Sequence, residues 1–163
     1  KNNPTDILAE IALTESFALQ KQLPRALELY QSLFKKYQRL PILLNNAANI
    51  ALRLDKLSLA AELATEAYEK APNNPIIIDT IAWVKTKQNK RSEAIPLFRE
   101  ALVIDFDNVE VKYHLAITLK AEKRDREAYK LLSEAVKAEQ DFIDKEIAKQ
   151  LLEQWKVEKS AQN

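Results

Sequence analysis

The chain has 163 residues, 47% of them apolar and 30% charged, with a formal net charge of +1, no Cys and no Gly. This composition fits one domain with a hydrophobic core, and it argues against disulfides, thiolate metal sites and the glycine-rich loops of nucleotide enzymes. No apolar run approaches the ~18 residues of a membrane-spanning helix, and basic and acidic residues alternate along the chain, without the basic stripe that a nucleic-acid partner requires.

Apolar residues recur at helical spacing along the chain and predict consecutive pairs of helices. The first helix spans about 5–20, with Thr5 as its candidate N-cap, and the second opens at Pro24 and ends before Leu40-Pro41. The predicted helices of the next three pairs are 41–54 and 58–71, 75–88 and 92–105, and 109–121 and 125–138.

Asn and Asp residues mark the predicted ends and starts of these helices. The predicted stops are Asp55, Asn73-Asn74 and Asn89, because Asp and Asn tolerate a left-handed backbone best when Gly is not available. Asn74, Ser92 and Asn108 are predicted N-caps, since each side chain can accept a hydrogen bond from an otherwise unpaired backbone N–H.

The helix pairs recur every 34 residues, without insertion or deletion. Two sets of equivalent positions are Ala26, Ala60, Ala94 and Ala128, and Leu13, Ala47, Ile81 and Leu115. This period predicts four helix-turn-helix repeats, at 7–40, 41–74, 75–108 and 109–142, which stack on one another to bury a continuous core.

After Asp141 the helical register changes. An apolar stripe of Ile143, Ile147, Leu151 and Trp155 predicts one further helix over 143–158, with charged residues on its other face. Such a helix would cap the last repeat. Residues 1–6 and 159–163 are left as frayed ends.

The 34-residue helix pair, with small residues at its eighth and twentieth positions (Ala82 and Ala94 in the third repeat), resembles the tetratricopeptide repeat over 7–142. The resemblance implies an all-α fold, a right-handed superhelical solenoid that serves as a protein-protein interaction module. The first repeat departs from the pattern, because Thr14 and Leu33 stand where the family has small residues.

A narrower resemblance involves four strings: Leu44-Asn45-Asn46-Ala47-Ala48, Ala67-Tyr68-Glu69-Lys70-Ala71-Pro72, Asp79-Thr80-Ile81-Ala82-Trp83-Val84 and Tyr113-His114-Leu115-Ala116. They resemble the C-terminal repeats of bacterial tetratricopeptide lipoproteins of the exosortase (PEP-CTERM) and exopolysaccharide systems. This resemblance implies the tail of a longer envelope or periplasmic protein; without it, a cytoplasmic protein is equally open. Ala82 stands where these proteins usually have Gly, and a lipobox Cys would lie upstream. The chain starts at Lys1, without Met or signal peptide, which suggests a fragment or a processed form.

In tetratricopeptide solenoids the first helix of each pair lines the concave face, so its groove positions can be read from the repeat register. The predicted peptide-binding residues are Asn45, Asn46, Asn49, Arg53, Asp79, Thr80, Trp83, Lys87, Tyr113, His114 and Ile117. Carboxamides can donate to and accept from an extended peptide backbone at once, and Trp83 would be a rigid aromatic anchor. The structural alternatives are that the amides are solvated or bond helix ends, and that Trp83 belongs to the core.

Catalysis, metal binding and a cofactor are not expected. His114 is the only histidine, so a catalytic pair or a metal cluster would have carboxylates as its only partners; a groove hydrogen bond or ordinary exposure is the simpler role. Asn45 and Asn49 match the amide part of the clamp that holds chaperone C-terminal carboxylates. Glu110 and His114 do not match its basic part.

Two functions from different classes remain open. One is an adaptor that binds an extended peptide or protein segment in its groove, and the other is a structural spacer whose repeats stack on further repeats. Ile7, Leu8, Ile11 and Leu19 form an apolar N-terminal face, which predicts self-association or burial under an upstream repeat. Neither function involves an enzyme, a nucleic acid or insertion into a membrane.

Overall fold

The structure is a computed structural model that describes residues 4–160. These residues form nine helices and no strand, which confirms the all-α prediction. The helices are α1 Pro4–Leu19, α2 Leu23–Tyr37, α3 Pro41–Arg53, α4 Leu57–Lys70, α5 Pro75–Lys87, α6 Arg91–Ile104, α7 Val109–Ala121, α8 Asp125–Lys137 and α9 Lys145–Ser160. Residues 4–6 and 159–160, predicted to fray, are helical; the predicted frayed residues 1–3 and 161–163 lie outside the described part.

Each helix packs against the next one in the chain, and α3 also contacts α5, which in turn contacts α7. Helices α1, α3, α5 and α7 therefore form an inner layer, and α2, α4, α6 and α8 an outer one. The four equivalent alanines Ala26, Ala60, Ala94 and Ala128 are fully buried. Their lack of bulk allows the two helices of a pair to approach closely, as the 34-residue period requires.

Four of the turns share one geometry, because Lys21, Asp55, Asn89 and Lys123 all have φ between 57° and 62°. In each turn the next N–H bonds to a carbonyl five residues back, as Lys90 N does to Lys85 O at 2.9 Å, which closes the end of the preceding helix. The left-handed stops at Asp55 and Asn89 are thus confirmed. The one predicted at Asn73-Asn74 is wrong, because neither residue has a positive φ and Asn74 is extended. The two lysines show that the repeat geometry imposes this turn even on residues that disfavour it.

The predicted N-caps are confirmed only where the residue before the helix has an extended backbone. Asn74 accepts hydrogen bonds from Ile76 N and Ile77 N, and Asn108 accepts one from Val111 N, so both predicted caps are confirmed. Ser92 is not a cap, because the left-handed turn at Asn89 brings the chain into α6 one residue earlier, at Arg91. Thr5 is likewise inside α1, which begins at Pro4.

The last helix buries part of the predicted stripe. Trp155 is buried and Leu151 packs against the core as predicted, whereas Ile143 and Ile147 are exposed and Ala148 and Leu152 are buried. The helix begins at Lys145, after Ile143, and Lys145 Nζ donates to Ala138 O at 3.0 Å and to Gln140 O at 2.8 Å.

The apolar N-terminal face is smaller than predicted. Ile11 is buried and Ile7 packs against the core, whereas Leu8, Leu13 and Leu19 of α1 remain exposed. Thr14, at a position where the repeat has a small residue, is buried and donates from Oγ1 to Glu10 O at 2.8 Å. The first repeat therefore packs despite its departures from the pattern.

Candidate functional site

A groove of about 420 Å³ runs along the concave face. Side chains of all four inner helices line it, together with Tyr30 of the outer layer and two residues between α8 and α9. The lining residues are Glu15, Ala18, Leu19, Tyr30, Asn45, Asn46, Asn49, Ile50, Leu52, Arg53, Ile76, Trp83, Glu110, His114, Ile143 and Asp144. The groove thus joins successive repeats into one site.

The predicted site residues divide between this groove and the layer beneath it. Those that line the groove are Asn45, Asn46, Asn49, Arg53, Trp83 and His114. Asp79, Thr80 and Tyr113 are buried, and half-buried Ile117 packs against the apolar core. Lys87 is exposed, with its Nζ 4.4 Å from the centroid of the Trp83 ring.

The polar side chains of α3 connect neighbouring inner helices. Asn46 Nδ2 donates to Glu15 Oε1 at 3.0 Å, Asn49 Nδ2 donates to Thr80 Oγ1 at 3.4 Å, and an Arg53 guanidinium N–H donates to Ala18 O at 3.3 Å. These groups therefore hold the repeats together even without a ligand.

One buried polar group at the groove lacks such a partner. Asn45 is only 3% exposed, and its Oδ1 accepts no hydrogen bond from the described residues. The Tyr30 hydroxyl is also buried, beside the Asn46 side chain; burial raises the pKa of Tyr30 to about 12, against the effect of Asn46, so the hydroxyl keeps its proton at neutral pH. Since an unpaired buried polar group costs about 1–3 kcal/mol, a ligand that supplied the missing partner of Asn45 would gain affinity.

Asp79 of α5 and His114 of α7 form a buried pair. His114 Nδ1 lies 3.0 Å from Asp79 Oδ1 and 2.9 Å from Oδ2, and both residues are less than 10% exposed. Burial lowers the pKa of His114, but the Asp79 carboxylate, supported by Glu110 and Asp144, outweighs burial and raises this pKa above 6.5. Nδ1–H therefore donates to the carboxylate, and this pair connects the third and fourth repeats.

Aromatic rings enclose the imidazole. Trp83 stacks on His114 with centroids 4.3 Å apart and an interplanar angle of 16°. Tyr113 lies 5.5 Å from His114 on one side and 5.5 Å from Phe142 on the other. Trp83 thus supports the buried pair from within the groove, and the Phe142 contact holds the following residues, Ile143 and Asp144, at the groove's end.

Glu110 and Asp144 give this end of the groove a negative character. Lost hydration in the concave face raises the pKa of Glu110; Asp79 and Asp144 act in the same direction, and His114 acts against them. Neither Glu110 nor Asp144 has an ion pair with a Lys or Arg among the described residues. The end therefore carries an excess of negative charge.

This arrangement favours binding over catalysis. An Asp–His pair can act as a general base, but the described residues that line the groove include no Ser, Thr or Cys for it to activate. Residues 4–160 also contain no group of three or more His, Cys, Asp or Glu placed to hold a metal ion. In the same range, every helix is too short or too polar to cross a membrane.

The cross-helix pairs have a regular spacing that sequence reasoning missed. The Asp79–His114 and Ala18–Arg53 contacts join residues 35 apart, and Asn49–Thr80 and Glu15–Asn46 join residues 31 apart. These spacings are one 34-residue period plus one residue or minus three, which brings neighbouring inner helices into contact. Tyr30, Ile143 and Asp144 were also missed, since they lie outside the inner helices.

Comparison with known proteins agrees with this geometry. Residues 85–154 match the tetratricopeptide repeat family. The fold is the tetratricopeptide-repeat solenoid. The match begins within α5, so most of the groove-lining residues precede it. No curated protein sequence matches the chain.

Several solved structures share this fold. YrrB, a tetratricopeptide-repeat protein with an unusual peptide-binding site, is 15% identical, with 87% of this chain and 73% of YrrB covered at a TM-score of 0.65. MamA from Desulfovibrio magneticus RS-1 is 14% identical over 93% of this chain and 84% of MamA, at a TM-score of 0.67. PilW, a type IV pilus biogenesis factor, is 15% identical over 83% of this chain and 62% of PilW, at a TM-score of 0.73. At such identities the likeness concerns the fold alone.

Proposed function

We propose that this chain is a protein-protein interaction module that binds an extended peptide or protein segment in its concave groove. The observation that carries the proposal is the groove itself, about 420 Å³ in volume and lined by all four inner helices. Tetratricopeptide-repeat domains are generally protein-interaction modules, and the structural neighbour YrrB has a peptide-binding site.

The groove offers an extended segment both apolar and hydrogen-bonding groups. Exposed Leu19 and Ile76 provide apolar surface near opposite parts of the groove, and the unpaired Oδ1 of Asn45 can accept a peptide N–H. Trp83 would be the aromatic anchor, and exposed Lys87, now beside its ring, would move aside. A rigid aromatic loses little conformational freedom on binding, which is why such anchors dominate many interfaces.

These contacts give two expected magnitudes. Trp83→Ala is expected to cost about 2 kcal/mol of binding free energy, a loss of roughly thirtyfold in affinity. Asn49→Ala is expected to cost about 1 kcal/mol, because water can replace the partner of an amide that is only half-buried. Melting temperatures must accompany both measurements, since each residue also contacts a neighbouring helix.

A random dodecapeptide library displayed on phage and selected on the wild-type chain tests the proposal. The selected peptides should bind wild type and lose at least tenfold in affinity for Ile76→Trp, whose new ring fills the groove. The matched control is Val103→Trp, because Val103 of α6 is also an exposed aliphatic residue but lies outside the groove. Recovery only of peptides that Ile76→Trp does not weaken would contradict the proposal.

A structural scaffold that stacks on other repeats or on a second copy is the alternative function. The observation in its favour is the exposure of Leu8, Leu13 and Leu19 on α1, where an end repeat normally presents a polar face. This alternative predicts association through α1 without any requirement for Trp83 or Asn45.

For the biological setting, we propose a bacterial envelope secretion or exopolysaccharide apparatus. The support is the resemblance of the Leu44–Ala48 and Asp79–Val84 strings to repeats of envelope lipoproteins. Cell fractionation of the natural full-length protein tests this setting, and recovery from the cytoplasm alone would contradict it.

A further inference from the structure

We propose that the groove end bounded by Glu110, Asp144 and the Asp79–His114 pair receives a basic side chain, lysine or arginine, of the bound segment. This inference rests on the proposed function and specifies the chemistry of the partner. It requires a positive charge in the bound segment, at the residue that faces Glu110 and Asp144. A groove that bound its partner through apolar contacts alone would not require this charge.

The charge balance of this end is the first argument. Glu110 and His114 lie four residues apart on one face of α7, and Asp144 approaches from the segment before α9. Three acidic side chains, those of Asp79, Glu110 and Asp144, surround a single basic one, the imidazole of His114, and all three raise its pKa. Glu110 is exposed at the groove surface, yet lost hydration and the neighbouring Asp79 and Asp144 raise its pKa, and an added cation would relieve this repulsion.

Side-chain packing directs the hydrogen bond of the imidazole to Asp79. Both oxygens of Asp79 lie within 3.0 Å of His114 Nδ1, and the Trp83 ring covers one face of the imidazole at 4.3 Å. Glu110 and Asp144 therefore act on His114 only through space, and among the described residues neither has a Lys or Arg partner at ion-pair distance.

An independent observation points to a ligand in the same groove. The buried Oδ1 of Asn45 is unpaired among the described residues that line the groove. This oxygen can accept a hydrogen bond from the N–H of a peptide backbone. A segment whose backbone lies near α3 would place a side chain toward α7, where Glu110 and Asp144 lie.

The walls of this end suit the stem of a long basic side chain. Ile76 and Ile143 are exposed aliphatic residues of the groove lining, and they provide apolar surface for the methylene groups of Lys or Arg. The terminal cation would then form charge-assisted hydrogen bonds with Glu110 and Asp144.

The proposal predicts the direction of a pH dependence. Raising the pH ionises Glu110, whose pKa is elevated by lost hydration, and then removes the proton from His114, whose pKa is elevated mainly by Asp79. Both steps make the site more negative, so the affinity for a basic peptide should increase with pH. An anionic ligand would show the opposite trend.

The test uses the phage-selected peptides that Ile76→Trp weakens, synthesised with acetylated and with free N-termini. Each Lys or Arg is replaced by Gln in turn, and affinities are measured by fluorescence polarisation for wild type and for the Glu110→Gln/Asp144→Asn double variant. The matched control is Glu69→Gln/Glu100→Gln, which removes two exposed carboxylates outside the groove.

At one basic position of the peptide, replacement by Gln is expected to weaken binding to wild type about tenfold, equivalent to about 1.4 kcal/mol. The same replacement should weaken binding to the double variant less than twofold. The control variant should behave as wild type, and the wild-type affinity should increase between pH 5.5 and 8.

The outcomes separate this inference from the proposed function. One contrary result is that the peptides whose binding is weakened by Ile76→Trp contain no required basic residue; another is that they lose the same affinity on Gln replacement for wild type and for the double variant. Either result would overturn the inference and leave the proposed function standing. Binding that acetylation of the N-terminus abolishes would overturn the side-chain assignment in favour of a terminal amine. Recovery of no peptide that Ile76→Trp weakens would overturn both.

Discussion

Asp79→Asn is the most informative single substitution, because it removes one charge from the buried pair between the third and fourth repeats. Removing one partner of a buried ion pair costs about 3–5 kcal/mol. Asn keeps a hydrogen-bond acceptor for His114 Nδ1, so we expect the lower end of this range, about 3 kcal/mol. For a chain of this size each kcal/mol corresponds to about 2–4 °C, and the melting temperature should fall by about 6–12 °C.

This loss should depend on pH in a defined direction. The pKa of His114 is raised in the folded chain: burial lowers it, but the Asp79 carboxylate at 2.9 Å outweighs burial. The stability that the ionised pair contributes is fully present below the unfolded pKa of about 6.5 and is lost as pH rises through the folded pKa. The Asp79→Asn cost should therefore be larger at pH 6 than at pH 9.

Two measurements check this prediction. Thermal melts followed by circular dichroism give the stability of wild type, Asp79→Asn and the control Asp6→Asn, which changes an exposed carboxylate of α1. Nitrogen chemical shifts give the titration of the imidazole without ambiguity, since His114 is the only histidine. A wild-type imidazole that titrates at or below 6.5, or an equal cost of Asp79→Asn at both pH values, would refute the reasoning.

Three further substitutions test the packing and the turns. Gln38, with φ 60° and ψ −176°, occupies a region essentially restricted to Gly, so Gln38→Gly should raise stability by about 1–2 kcal/mol; an unchanged urea midpoint would show that the backbone is not strained there. Ile78→Ala should lower stability by about 2–5 kcal/mol because Ile78 is fully buried, and a loss below 1 kcal/mol would contradict the packing. Leu8→Glu should abolish any concentration-dependent sedimentation, whereas association that persists would exclude this face of α1.

The helices were predictable because one strong period determines them. Each predicted helix begins and ends within two residues of the observed one, since the apolar spacing repeats without insertion. The caps were predictable only in part. Asn74 and Asn108 follow extended turns and cap their helices, but after the left-handed turn at Asn89 the chain enters α6 before Ser92 can act.

The site was less predictable, because periodicity indicates which face a residue occupies and not which partner it finds there. Asp79 and His114 were both expected in the groove; His114 lines it, but Asp79 is buried and bonds to His114 from below. Of the two simpler roles considered for His114, ordinary exposure is wrong, since the residue is buried. The 31- and 35-residue spacings would have identified such pairs.

The end of the chain shows a second limit. The sequence interpretation selected the large residues Ile143 and Ile147 for the buried face of the last helix. The structure buries Ala148 and Leu152 beside the predicted Trp155 and leaves both isoleucines exposed. Ile143 is left at the groove, which is how a residue predicted for the cap becomes part of the candidate site.

The two faces of α5 have a consequence for how the chain opens. Ile77, Ile81 and Val84 pack into the apolar cluster of the first half, whereas Ile78 and Ala82 pack into that of the second half. Opening an end helix such as α1 or α9 uncovers one cluster, but opening α5 uncovers both. Amide hydrogen exchange should therefore be slowest in α5 and faster toward either end, so that partial opening would spare the central wall of the groove while its outer walls exchange.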